Sequence, residues 1–153
     1  MGNGELGSGG VRLEELTLRD IQPSQFWVSE GKLMEIAKWF DPNDLTNFEP
    51  IPIKWLDGVP MMTDGHTRAV AAIRAGLKRV PLMEEPDEWD WDMYRVCVEE
   101  CRARGVFSPY DLTERVVSAA DYKTLWEDWC DVKHEQVEAE REQKNREHKT
   151  ESI

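Results

Sequence analysis

Within residues 51 to 76, IPIKWLDGVPMMTDGHTRAVAAIRAG, two different structural patterns follow one another without a linker. IPIKWL (51–56) and VPMMT (59–63) flank Asp57-Gly58, the dipeptide that suits a tight primed turn, so this part predicts a β-hairpin. The second strand runs directly into Asp64-Gly65-His66, after which Ala69, Val70, Ala71, Ala72, Ile73 and Ala75 predict a helix ended by Gly76. Its small side chains permit close packing on a sheet, and VPLME (80–84) supplies the next strand.

On the N-terminal side, VRLEELTL (11–18) alternates in part and predicts a first strand, leading out through Pro23. Ser29 is placed to cap a helix with Leu33, Ile36, Ala37 and Phe40 on its buried face, ended by Asp41-Pro42. Beyond Pro86 the pattern is helical throughout. Asp90 opens a helix with Trp91, Tyr94, Cys97, Val98 and Cys101 inward, ended by Gly105. Ser108-Pro109 starts a short helix, and Ser118 with Asp121 starts a longer one carrying Tyr122, Leu125, Trp126 and Trp129 on one side. From about Asp131 nearly every residue is charged, which predicts an exposed helix fraying into a disordered tail.

The expected organisation is therefore α+β: a leader over 1–10, a domain over 11–85, a helical extension packed on it over 86–131, and a charged helix and tail over 132–153. The 153 residues, with seven Trp, suffice for one substantial core. Net charge is −12, and residues 84 to 100 hold eight acids against Arg95 alone, a poor surface for a phosphate backbone. The longest apolar runs are about five residues, far short of the roughly 20 that a membrane-spanning helix needs. With MGNGELGSGG lacking the pattern of a signal peptide and three cysteines making an odd number, the expectation is a cytoplasmic protein.

The Asp64-to-Arg68 stretch is the candidate site. A strand ending in Asp64-Gly65 before a helix brings free N–H groups and the positive end of the helix dipole to one point. Gly65 permits close approach, Thr67 adds a hydroxyl, and Arg68 offers a planar fork for phosphate oxygens. The alternative reading is structural, with Asp64 capping the helix, His66 packing, and Arg68 pairing with an acid.

The Ile21-to-Ser24 lead-in, the Ser29-Glu30-Gly31-Lys32-Leu33 helix start, the strand pair and Asp64-Gly65-His66-Thr67-Arg68-Ala69 together resemble the ParB/sulfiredoxin superfamily over about residues 12–85. The resemblance implies a small mixed β-sheet with flanking helices and a loop that holds nucleotide phosphates. Sulfiredoxins carry a reactive Cys where this chain has His66, and ParB proteins have a Gly-Glu-Arg-Arg type of motif and a basic DNA-binding segment. Closer in motif are the superfamily's free-serine kinases, of the Asp-Gly-His-His-Arg kind, with Thr67 here replacing the second His. That likeness implies a small-molecule kinase or phosphohydrolase using ATP or another nucleotide with Mg2+. In it Gly65, His66, Thr67 and Arg68 hold phosphates, Asp64 is the candidate ligand for Mg2+, and Glu30 is the base; Glu30, Asp64 and His66 form the catalytic set. Glu30 also suits the helix dipole, and His66 also suits a structural helix start. The alternatives are a ParB-like DNA-binding, regulatory or nuclease module, or an interaction domain that has kept the fold without catalysis. The expected partners are a nucleotide and a small-molecule acceptor, with the C-terminal helices as the surface for a homodimer.

Cys97, Cys101, Cys130 and His134 have helical spacings that a zinc site could use, but the two first cysteines fall on an apolar face and read as core. Trp89, Trp91, Tyr94, Trp126 and Trp129 could stack a base or a ligand ring but read first as packing between helices, and the acidic run from Glu84 could bind a basic partner or cations but reads first as a solvated face.

Overall fold

The structure is a computed structural model describing residues 11–151; the leader lies outside the described residues. Two single turns of 3-10 helix, Leu13–Glu15 and Leu18–Asp20, replace the strand expected over 11–18. Acidic side chains three residues ahead make the difference. Arg12 N–H donates to Glu15 Oε1 at 3.2 Å and Thr17 N–H to Asp20 Oδ2 at 2.7 Å, so local side-chain acceptors capture amides that a strand would pair. The chain then becomes extended: Gln22 forms a parallel bridge with Met61, and β1 (Val28–Ser29) leads into α1 (Glu30–Ala37). Ser29 caps α1 by accepting from Lys32 N–H at 3.4 Å.

The hairpin is β2 (Ile51–Leu56) and β3 (Val59–Met62), antiparallel with Leu56 opposite Val59. Both turn residues are left-handed, Asp57 at φ 52° and Gly58 at φ 81°, as a primed turn requires. α2 (His66–Arg74) follows, and then β4 (Leu82–Glu84) pairs in parallel with β2, giving the order β3-β2-β4. The Gln22 bridge extends that mixed sheet on its β3 side. α3 (Trp91–Ala103) starts at Asp90, whose Oδ1 accepts from Met93 N–H at 3.2 Å. A short β5 (Val116–Val117) pairs in parallel with β1.

Ser118 accepts from Asp121 N–H at 3.1 Å and opens α4 (Ala119–Tyr122). A π-helical stretch, Lys123–Glu127, joins α4 to α5 (Asp128–Glu151). This stretch alters the expected helix face: Leu125 is 39% exposed, while Trp126 and Trp129 turn inward against the core. α5 remains helical through the region expected to fray, and its 24 residues span about 36 Å. Among the described residues no helix is long and apolar enough to cross a membrane.

α2 joins two hydrophobic clusters. Ala69 and Ala72 pack with Ile51, Ile53 and Met62 on the sheet, while Val70 faces Phe26, Val28, Leu33 and Cys101 on the other side. Small residues let the helix approach both. Fully buried Phe26 meets Trp126 edge-on at 5.0 Å and Trp129 at 4.9 Å, and the Arg104 guanidinium lies 4.1 Å from its ring centre. The C-terminal helices therefore share the domain's own core. Phe26→Ala is expected to cost ~4 kcal/mol, because it removes a fully buried ring that packs edge-on against the stacked indoles of Trp126 and Trp129; urea unfolding measures this.

Candidate functional site

The turn from β3 into α2 depends on Gly65, which is left-handed at φ 83°. A Cβ there would lie 2.9 Å from Arg68 Nη2 and 3.1 Å from Ile51 Cγ1, so both the backbone conformation and the space require glycine. No side chain caps this helix start; Asp64 does not have the capping role. Arg68 folds back over the turn, its Nη1 donating to the backbone carbonyls of Glu49 and, at 3.3 Å, Pro50. Its side chain is only 13% exposed, and Glu49 Oε2 stands 4.0 Å away. The guanidinium thus ties the entrance of β2 to the start of α2.

His66 is 3% exposed. Its Nε2 accepts from Ser24 N–H at 3.0 Å, while Ser24 Oγ donates to the Met62 carbonyl at 2.8 Å. With Nε2 an acceptor, the neutral ring carries its proton on Nδ1, which is buried without a partner among the described residues. Burial lowers the His66 pKa to about 4, against the attraction of Asp64 and with the help of Arg68. His66 therefore pins the lead-in to the start of α2 and lies out of reach of a ligand.

Asp64, Thr63 and Arg68 border a cavity of about 460 Å³ whose other walls include Pro52, Glu85, Trp89 and Tyr94. Four carboxylates line it (Glu49, Asp64, Glu85, Asp87) against the single cation of Arg68. Glu85 is fixed in place: Thr63 Oγ1 donates to its Oε1, and Asp87 N–H to its Oε2 at 3.1 Å. Burial opposes its charge, yet hydrogen bonds from Thr63, the Asp87 amide and Trp89 hold its carboxyl below the usual range. Tyr94 donates to the Thr63 carbonyl at 3.4 Å, and burial, together with the nearby charges of Glu85 and Asp64, pushes its phenol up to about 12.

Glu30 is elsewhere. It lines a separate, largely apolar cavity of about 660 Å³ with Leu33, Met34, Phe40 and Arg74. The structure thus brings Asp64, Gly65, Thr67 and Arg68 to one helix start, with Asp64 and Arg68 on the cavity wall, but does not bring Glu30 to it. Among the described residues no three His, Cys, Asp or Glu side chains converge to hold a metal ion, so Cys97, Cys101, Cys130 and His134 do not form a zinc site. Burial pushes Cys97 up to about 11 and Cys130 up to about 12, consistent with packed thiols.

Sequence reasoning missed Glu49; it placed Glu85 in the acidic run and Trp89 and Tyr94 in the aromatic set, both read first in their structural role. Trp89 is 51% exposed at the cavity, which corrects its reading as core, and the run Glu-Glu-Pro-Asp-Glu-Trp was the available signal. No family model, curated protein or solved structure matches the chain.

Two outcomes follow from this geometry. Gly65→Ala is expected to destabilise by more than the ~1–2 kcal/mol of a left-handed alanine, because Arg68 must also move. Gly76→Ala is the control: at φ 86° with nothing near its Cβ, it should show the backbone cost alone in urea unfolding. For His66, the folded pKa of about 4 lies below the unfolded value, so the unfolded state binds more protons between them. Stability should rise with pH across that window and fall by ~3 kcal/mol on descending from neutral pH to below 4. In His66→Gln that part of the slope should vanish from the stability-versus-pH curve.

Proposed function

We propose that the chain is a small-ligand-binding domain of the ParB/sulfiredoxin kind, in which the cavity beside Asp64 is the ligand site and phosphoryl transfer is not the activity. The observation that carries this reading is the separation of the groups a kinase would have to combine. Glu30 opens on a different cavity from Asp64 and Arg68, and His66 is buried with its Nε2 engaged. Phosphoryl transfer depends on positioning and charge neutralisation in one place. Here the only guanidinium at the cavity is held by backbone carbonyls and faces four carboxylates. The size supports a binding role, since pockets for small ligands run from about 300 to 1,000 Å³.

Nucleotide binding is the second reading, supported by one specific feature: no side chain caps the start of α2. The four carboxylates that line the cavity weigh against it. DNA binding has less support, because the same acids repel a phosphate backbone.

The test is a 1H–15N NMR screen of small metabolites, with ATP, ADP, CTP and GTP included with and without Mg2+, beside an assay of ATP consumption with serine as acceptor. The binding-domain reading expects at least one compound to move resonances of residues 49–52, 63–68 and 83–94, with no consumption of ATP. Arg68-dependent nucleotide shifts without turnover would favour the second reading. Phosphorylated serine, lost in Glu30→Gln, would overturn the binding-domain reading.

A further inference from the structure

The acidic stretch after β4 is neutralised unevenly. Asp90 is held by Arg141 through two bonds of 2.7 and 2.9 Å, Asp92 by Arg95 at 2.8 Å, and Glu100 by Arg104 at 2.7 Å. Asp57, across from this helix, also receives a two-pronged bond from Arg95. Of the cavity acids only Glu49 has a cation nearby, Arg68 at 4.0 Å; among the described residues Asp64, Glu85 and Asp87 have no such partner. Glu85 is bonded by neutral donors only, and Asp64 accepts no hydrogen bond from a described side chain or amide. Arg68, the one base on the wall, is occupied by the Glu49 and Pro50 carbonyls.

A second observation is independent of charge. Trp89 leaves half its surface uncovered on the cavity wall, which Glu85 and Tyr94 also line. An exposed indole next to carboxylates without a base is the arrangement that attracts a cation, through the negative face of the ring and the carboxylate oxygens together. Trp91 shows the same preference within the molecule, with Lys54 Nζ 4.7 Å from its ring centre. Trp89 has no such cation of its own among the described residues.

We infer that the cavity takes an organic cation, an alkylammonium or guanidinium group, held between the carboxylates of Asp64 and Glu85 and the ring of Trp89. The N–H donors of such a group suit carboxylates, and its flat or apolar part suits the indole. The inference rests on the binding-domain reading and names its ligand class.

The experiment is an NMR titration of the whole chain with agmatine, 1,5-diaminopentane and the capped tripeptide acetyl-Ala-Arg-Ala-amide, at constant ionic strength. The variants are Trp89→Ala, Asp87→Lys, which puts a tethered cation at the cavity without breaking the Thr63–Glu85 bond, and Glu99→Gln as an acidic control outside the cavity. At least one probe should move the resonances of Asp64, Glu85 and Trp89, with affinity reduced tenfold or more in Trp89→Ala and in Asp87→Lys and changed less than twofold in Glu99→Gln. Binding of the free amines assigns the site to a small molecule; binding of the tripeptide alone assigns it to a side chain of a protein partner, and both support the inference. Equal weakening by Glu99→Gln would overturn it, showing attraction to the net charge alone. Cavity resonances that ignore every cation but respond to another compound of the metabolite screen would overturn this inference and leave the binding-domain reading standing. If neither set moves them, both fall.

Discussion

The left-handed turn at Gly65 is the constraint on which the rest of the structure depends. It redirects the chain from the end of β3 at Met62 into α2 at His66, with no room for a side chain between Arg68 and Ile51. That abrupt turn sets the position of α2, and α2 in turn supplies Ala69 and Ala72 to the sheet cluster and Val70 to the cluster around Phe26. His66 and Arg68 then secure the junction from two sides. One accepts from the Ser24 amide of the lead-in, and the other donates to the carbonyls that precede β2. Three segments far apart in sequence are thereby held by the first turn of a single helix.

The same economy limits chemistry at the motif. A buried neutral histidine with one nitrogen engaged serves the junction, and an arginine bonded to two carbonyls has given up part of the fork that phosphate would use. The residue types in Asp-Gly-His-Thr-Arg suit an anion site; their hydrogen-bond partners suit a structural junction. Identity at a motif therefore carries less functional information than the commitments of each side chain. Outside the motif, the cavity wall carries the carboxylate of Glu85 and the half-exposed indole of Trp89.

How much could be read in the sequence followed from how local each determinant was. Asp57-Gly58, the Gly76 stop, the Asp90 cap and the Ser118 start each act within three or four residues, and each appears where its chemistry puts it. Residues 11–18 misled because alternation there is weak, while Glu15 and Asp20 offer nearby amides better acceptors than a distant strand. Leu125 misled because a helical wheel assumes an unbroken period, and the π-helical stretch shifts it. The cavity was least legible of all. It is assembled from the approach to β2, the end of β3, the loop after β4 and the face of α3, and no window of sequence contains that juxtaposition. The separation of Glu30 from Asp64 is of the same kind, a distance set by how α1 and α2 pack.

The wall of the cavity is held at both ends by different means. At one end Thr63 and the Asp87 amide fix Glu85 from within the domain. At the other, Asp90 caps α3 and also receives Arg141 from α5, a two-pronged pair with each side chain a little over one third exposed. Solvent screening limits such a pair to about 1 kcal/mol or less, so it orients the loop more than it stabilises the fold. The hold of α5 on the domain comes instead from Trp126 and Trp129 against Phe26. Trp89 sits between these two anchors, one residue before the Arg141 contact, on a loop whose backbone is restrained while its indole stays uncovered. An aromatic exposed beside a fixed end of a loop loses little freedom when a ligand arrives, which lowers the cost of binding in a small, open cavity.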